Sequence, residues 1–144
     1  MSAGFEAAEK QLVWVEAMQQ VQYTLHRAVR ALDYGPPGDW ADCFTGDGVY
    51  SAPGGEIAGA KALLQHASTY KPASHFVRHW VMAPDIEVEG DRAHVTSVMG
   101  AFDSNAEAGP HVSMMGRFVD AFVRCPDGRW RISRREAQVL SGKP

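Results

Sequence analysis

Residues 11–38 read QLVWVEAMQQVQYTLHRAVRALDYGPPG. Apolar side chains at Leu12, Val15, Met18, Val21, Leu25, Val29 and Leu32 recur at steps of three and four, the stripe that an amphipathic helix turns toward a core. The spacing predicts a helix over 5–33, with Ser2 as its cap and Gly35-Pro36-Pro37-Gly38 as its stop. A helix of about seven turns is long for a small domain and needs something broad to cover.

Downstream, Asp39 has the chemistry of an N-cap for a short helix from Trp40 to Phe44. Val49-Tyr50-Ser51 reads as a short strand entering the turn Pro53-Gly54-Gly55, and a third helix follows from Ala60 to about Ser68. After Pro72 the texture changes. His75-Phe76-Val77-Arg78-His79-Trp80-Val81 is aromatic and β-branched, which is strand chemistry, and Pro84 is expected to close it. Ile86–Glu89 leads into a Gly90-Asp91 turn. Strands are expected over Ala93–Phe102, Val112–Arg124 and Arg129 to about Val139, with 101–110 as a loop and Pro126-Asp127-Gly128 as a turn. On the last strand Trp130, Ile132 and Arg134 are expected to share one face. Helices first and long strands afterwards define an α+β fold, helices packed on one face of an antiparallel-rich sheet.

The chain has 144 residues, 45% of them hydrophobic and 22% charged, with a net charge of −3. That is ordinary globular composition, and all of 1–144 reads as one domain with its core at about 5–139. Lys and Arg are scattered rather than gathered into a stripe, which argues against nucleic acid as a partner. Glu6, Glu9, Lys10 and Glu16 interrupt the N-terminal apolar stretch, so no secretion signal or membrane span is expected, and a cytoplasmic location is. Cys43 and Cys125 stand far apart, in no metal or redox spacing, and read as free thiols.

Two candidate groups stand out. His75 and His79 would be one turn apart on a helix and able to share a zinc ion, but the glutamate of HExxH is missing. On a strand they share a face about 13 Å apart, too far for one metal. A histidine facing an apolar interior instead suits general-base work near neutral pH, with a plain hydrogen-bonding role as the alternative. Asp33 lies at the C-terminal end of the long helix, where a negative charge opposes the macrodipole. It is either a solvated turn former or a carboxylate that orients a histidine.

Leu32-Asp33, Gly38-Asp39-Trp40, Phe44-Thr45-Gly46-Asp47-Gly48-Val49-Tyr50, Ser74-His75-Phe76 and Gly128-Arg129-Trp130-Arg131-Ile132 follow one another in the order seen in SnoaL-like proteins of the nuclear transport factor 2-like superfamily. The resemblance covers about residues 8–139. It implies a cone: a long N-terminal helix plus two short helices on a strongly curved sheet. Within the superfamily the chain resembles the branch of scytalone dehydratase, bile-acid dehydratase and lindane dehydrochlorinase, enzymes with an aspartate–histidine pair.

That resemblance implies Asp33 and His75 as the catalytic pair, with His75 the base and Asp33 its orienting partner. It implies Tyr50, His79, Asp103 and Arg135 as substrate-binding positions, each with a core or surface role as the alternative. The steroid-isomerase branch needs a base aspartate where this chain has Ser51-Ala52-Pro53, so that chemistry is disfavoured. The activity implied is a dehydratase-type lyase or an isomerase using neither metal nor organic cofactor. Its substrate would be a small hydrophobic molecule, aromatic or polycyclic. A non-catalytic ligand-binding domain, a polyketide cyclase and an assembly subunit like the small subunits of ring-hydroxylating dioxygenases remain open on the same fold. Met82, Met99, Met114, Met115, Phe102, Phe118 and Trp80 read as core or pocket lining. A homodimer or homotrimer is expected, formed through the exposed sheet face.

Overall fold

A computed structural model describes residues 2–70 and 76–142. Helix α1 spans Ala3–Tyr34, α2 Pro37–Ala41 and α3 Ala60–Thr69. The strands are β1 (Phe44–Ala52), β2 (Gly55–Ala58), β3 (Arg78–Glu89), β4 (Arg92–Asn105), β5 (Gly109–Arg124) and β6 (Trp130–Gly142). They form one sheet in the order β2-β1-β6-β5-β4-β3. All neighbours are antiparallel except β1 and β6, which run parallel.

The long helix is present, and Val21 and Leu25 of the predicted stripe are buried in the core with Leu32 packed against it, but the rest of the buried face differs. Its buried residues are Ala17, Val21, Thr24, Leu25, Ala28 and Ala31. Small side chains at 17, 28 and 31 let the helix axis approach the sheet closely, and a reading weighted toward large apolar residues passes over them. The predicted stripe residue Leu12 is 67% exposed; all of residues 2–16 are exposed, and burial on the helix starts at Ala17. Gly35 donates its backbone N–H to Ala31 O and ends the helix.

The second helix begins earlier than expected. Pro37 takes its first position, where a missing N–H costs nothing, and Asp39 lies in the first turn rather than at the cap. Trp40 is buried against Phe44 and Tyr50.

Pro84 does not close a strand as expected. β3 runs through it with a register shift between Met82 and Asp85, and Ala83 adopts φ 48°. β3 is the edge of the sheet, where an absent N–H breaks no ladder and a bulge is tolerated. Likewise 101–110 is no loose loop: β4 and β5 continue to Asn105 and Gly109, joined by a short turn. Register shifts also occur at Ala101/Phe102, Met115/Gly116 and Ala121/Phe122. Each adds bend, and together they curl the sheet around the helices.

The shift at Ala121/Phe122 changes which residues of β6 face inward. Trp130 and Ile132 are buried, and past the shift the buried residues are Arg135 and Ala137, not Arg134. The core between helices and sheet holds Val21, Leu25, Leu63, Val95, Phe122 and Ile132. Of the methionines and aromatics expected there, Met99 is buried, whereas Met82, Phe102 and Met115 are exposed on the opposite face.

Candidate active site

Asp33 is the penultimate residue of α1, and His79 is the second residue of β3. The end of the helix and the edge strand meet there. Asp33 Oδ1 accepts from His79 Nδ1 at 2.7 Å, and Oδ2 accepts from the His79 backbone N–H at 2.6 Å. An edge strand has backbone donors with no neighbouring strand to receive them. Asp33 fills that gap and orients the ring in the same contact. Its side chain is only 3% exposed, and that of His79 is 18% exposed.

A carboxylate accepts and does not donate, so the pairing sets the proton of a neutral His79 on Nδ1 and leaves the lone pair on Nε2. Tyr70, directly after α3, brings its Oη to 3.3 Å from that Nε2. Nε2 then accepts and the phenol donates. Burial pushes the Tyr70 hydroxyl up to about 12, with the Asp33 charge and Tyr50 adding to the effect. Tyr70 is therefore a phenol throughout the physiological range. A cavity of about 590 Å³ between α1 and β3 is lined by Asp33 and His79 together with Tyr23, Val29, Tyr34, Trp80 and Val81, and by His26, Arg27 and Arg30.

A second polar group lies deeper on the inner face. Arg135 and Asp120, 2% and 1% exposed, form a two-pronged ion pair with both contacts at 2.8 Å. Burial pulls the guanidinium's pKa down; the Asp120 charge and hydrogen bonds more than offset this and hold it raised. Arg135 also lies over the Phe118 ring at 4.0 Å. Tyr50 is the register partner of Arg135 across β1 and β6. Its hydroxyl is pushed up by burial, and its ring packs on Trp40 and on His66, whose pKa burial lowers.

The sequence-derived candidates are thus distributed unevenly. Asp33 and His79 are in direct contact. Tyr50 and Arg135 lie on the inner face, with Arg135 committed to Asp120. Asp103 shares the face of Ala101, the register partner of His79, and its carboxylate accepts from the Ser104 backbone N–H at 2.7 Å. His75, expected to pair with Asp33, lies outside the described residues; the histidine set against Asp33 is His79. Tyr70 and Asp120 were not anticipated. For Asp120 a signal existed, since it is the one acid in the apolar run Phe118–Val123. Tyr70 follows an unremarkable helix end and carried none.

A curled six-stranded sheet closed by a long N-terminal helix and two short ones is the cone of nuclear transport factor 2-like proteins. Residues 14–136 match the SnoaL-like domain, and the chain belongs to that family. Among solved structures it is similar to a variant of Rv3472, a protein of unknown function from Mycobacterium tuberculosis, at 27% identity and TM-score 0.76, over 92% of this chain and 75% of that one. An NTF2-like protein from Novosphingobium aromaticivorans superposes with TM-score 0.81 at 21% identity, covering 99% and 92%. A candidate scytalone dehydratase from the same organism gives 0.72 at 24% identity, covering 93% and 89%. No curated protein matches the chain.

Proposed function

We propose that this chain is a lyase of the dehydratase type, or an isomerase, that removes a proton from carbon beside a carbonyl group with His79 as general base. The observation that carries this reading is the double grip of Asp33 on His79. It fixes ring and tautomer, leaves the Nε2 lone pair as the acceptor, and supplies a negative charge beside the imidazolium that forms. The proton moves from substrate carbon to Nε2, and the electron pair it leaves behind spreads into the carbonyl. Such positioned general-base catalysis contributes about 10²–10⁴-fold. The apolar residues beside the pair suit a small hydrophobic substrate, aromatic or polycyclic.

The test uses 4-hydroxy-4-phenylbutan-2-one, which carries an acidic C–H, an apolar ring and a β-hydroxyl. In D₂O the protein is expected to speed uptake of deuterium at the carbon between the carbonyl and the carbinol. His79→Gln and Asp33→Asn are each expected to lose most of that rate. Unchanged exchange in both variants would exclude the mechanism and favour a ligand-binding role. His75→Ala, measured alongside, reports whether that residue shares the work.

The outer face of the sheet supports a further part of the reading, that two or more copies associate. Met82 pairs across strands with Val98, and Phe102 with Val112, placing these four exposed apolar side chains on one surface. A patch of this kind commonly marks an interface.

A further inference from the structure

We propose that Tyr70 is a second catalytic group of this site, the acid that protonates a hydroxyl leaving from the carbon next to the deprotonated one; the substrate class is accordingly a β-hydroxy carbonyl compound. This inference rests on His79 being the base. The contact between Tyr70 Oη and His79 Nε2, 3.3 Å long, carries it. Nε2 is the atom that would receive the substrate proton, so the phenol occupies that lone pair until substrate arrives.

A ligand that presents its C–H to Nε2 must displace the Tyr70 hydrogen bond. The released O–H then has a donor's need for a new acceptor in a partly buried site. The oxygen on the adjacent substrate carbon lies within reach, because substituents on neighbouring carbons are separated by about the length of that same contact, on the order of one hydrogen bond. The phenol keeps its proton until then, since burial and the Asp33 charge oppose tyrosinate.

The step balances within the chain's own groups. The C–H bond breaks and its proton goes to Nε2. The electron pair first spreads into the carbonyl as an enolate; its return forms the new C=C bond as the C–O bond breaks, and the departing oxygen takes the Tyr70 proton to leave as water. Tyrosinate then recovers a proton from the imidazolium Nε2–H across the same contact, and both groups return to their starting state. No oxidant, reductant or further reactant enters. The Asp33 charge stabilises the imidazolium during the interval.

The two roles separate experimentally on 4-hydroxy-4-phenylbutan-2-one, read as deuterium uptake from D₂O and as appearance of the conjugated enone. Tyr70→Phe is expected to keep deuterium uptake within about threefold of the unsubstituted protein while enone formation falls about 100-fold or more. His79→Gln is expected to lose both. Replacement of Tyr70 by 3-fluorotyrosine, nearly unchanged in shape and more acidic, is expected to restore enone formation.

Equal loss of both readouts in Tyr70→Phe, or no loss in either, would overturn the acid role. So would failure of the fluorinated residue to restore enone formation. Exchange without elimination in the unsubstituted protein would overturn the β-hydroxy class while leaving His79 as base. Exchange that survives His79→Gln would instead sink the reading on which the inference rests.

Discussion

Asp33 holds His79 through both carboxylate oxygens, one on the ring and one on the backbone, so a single side chain closes the sheet edge and orients an imidazole. The two duties predict a two-part phenotype for Asp33→Asn. Losing the charge removes stabilisation of the imidazolium, and proton exchange on the ketone probe is expected to drop by about 10²–10⁴-fold. Losing one acceptor leaves a buried donor without its partner, and urea unfolding is expected to show a loss of about 1–3 kcal/mol. Exchange loss without a stability loss would show that the backbone contact contributes little.

The Asp120–Arg135 pair predicts an asymmetric mutant series. Asp120→Asn leaves a buried guanidinium without its counter-charge and is expected to cost about 3–5 kcal/mol in urea unfolding. Removing both charges together, as Asp120→Leu with Arg135→Met, is expected to recover most of that loss, because neither ion then needs to leave water. A double variant as unstable as the single one would mean that the pair supports the fold through more than charge balance.

Cys43 predicts a pH dependence. Burial pushes its thiol up to about 11, with the nearby arginines only partly opposing this. An unfolded chain ionises the thiol at lower pH, so it binds fewer protons than the folded chain between the two values. Stability from this group is therefore fully present below about pH 8.5 and is lost as pH rises toward about 11, by roughly 2–3 kcal/mol in all. Cys43→Ala is expected to flatten that part of the pH–stability curve, leaving the later fall from Tyr50 and Tyr70, which burial also pushes up. At neutral pH, iodoacetamide is expected to spare Cys43 in the folded protein, as mass spectrometry of the digested chain will report.

The outer sheet face predicts association. Sedimentation velocity is expected to show a dimer or trimer, and Phe102→Glu combined with Met82→Glu is expected to shift it to monomer with the fold intact. A protein already monomeric at high micromolar concentration would contradict the proposal.

Much of this architecture was legible in the sequence because it follows from period and punctuation. The three- and four-residue spacing from Leu12 to Leu32 gives α1, and Gly90-Asp91 and Pro126-Asp127-Gly128 mark turns between strands. What escaped depends on context that a linear pattern lacks. Pro84 reads as a strand end unless β3 is known to be an edge. Arg135 reads as an outward residue unless the register shift beside Phe122 is known. The same applies at the site. Asp33 was visible as a charge placed against the helix dipole, but which histidine faces it depends on where β3 begins, at Arg78. His79 rather than His75 is within the described strand, and Tyr70 reaches it from a distance of nine residues through the end of α3.

In the proposed mechanism Asp33 keeps the ring proton on Nδ1 of His79 and leaves Nε2 as the base. Two-dimensional ¹⁵N–¹H correlation of the histidine rings, near pH 8 with His79→Gln used to assign the signal, reads that directly. A neutral His79 is expected to show a protonated Nδ1 and a bare, hydrogen-bond-accepting Nε2, and Asp33→Asn is expected to weaken this preference. A neutral His79 protonated on Nε2, or one whose tautomer is indifferent to Asp33, would contradict the mechanism.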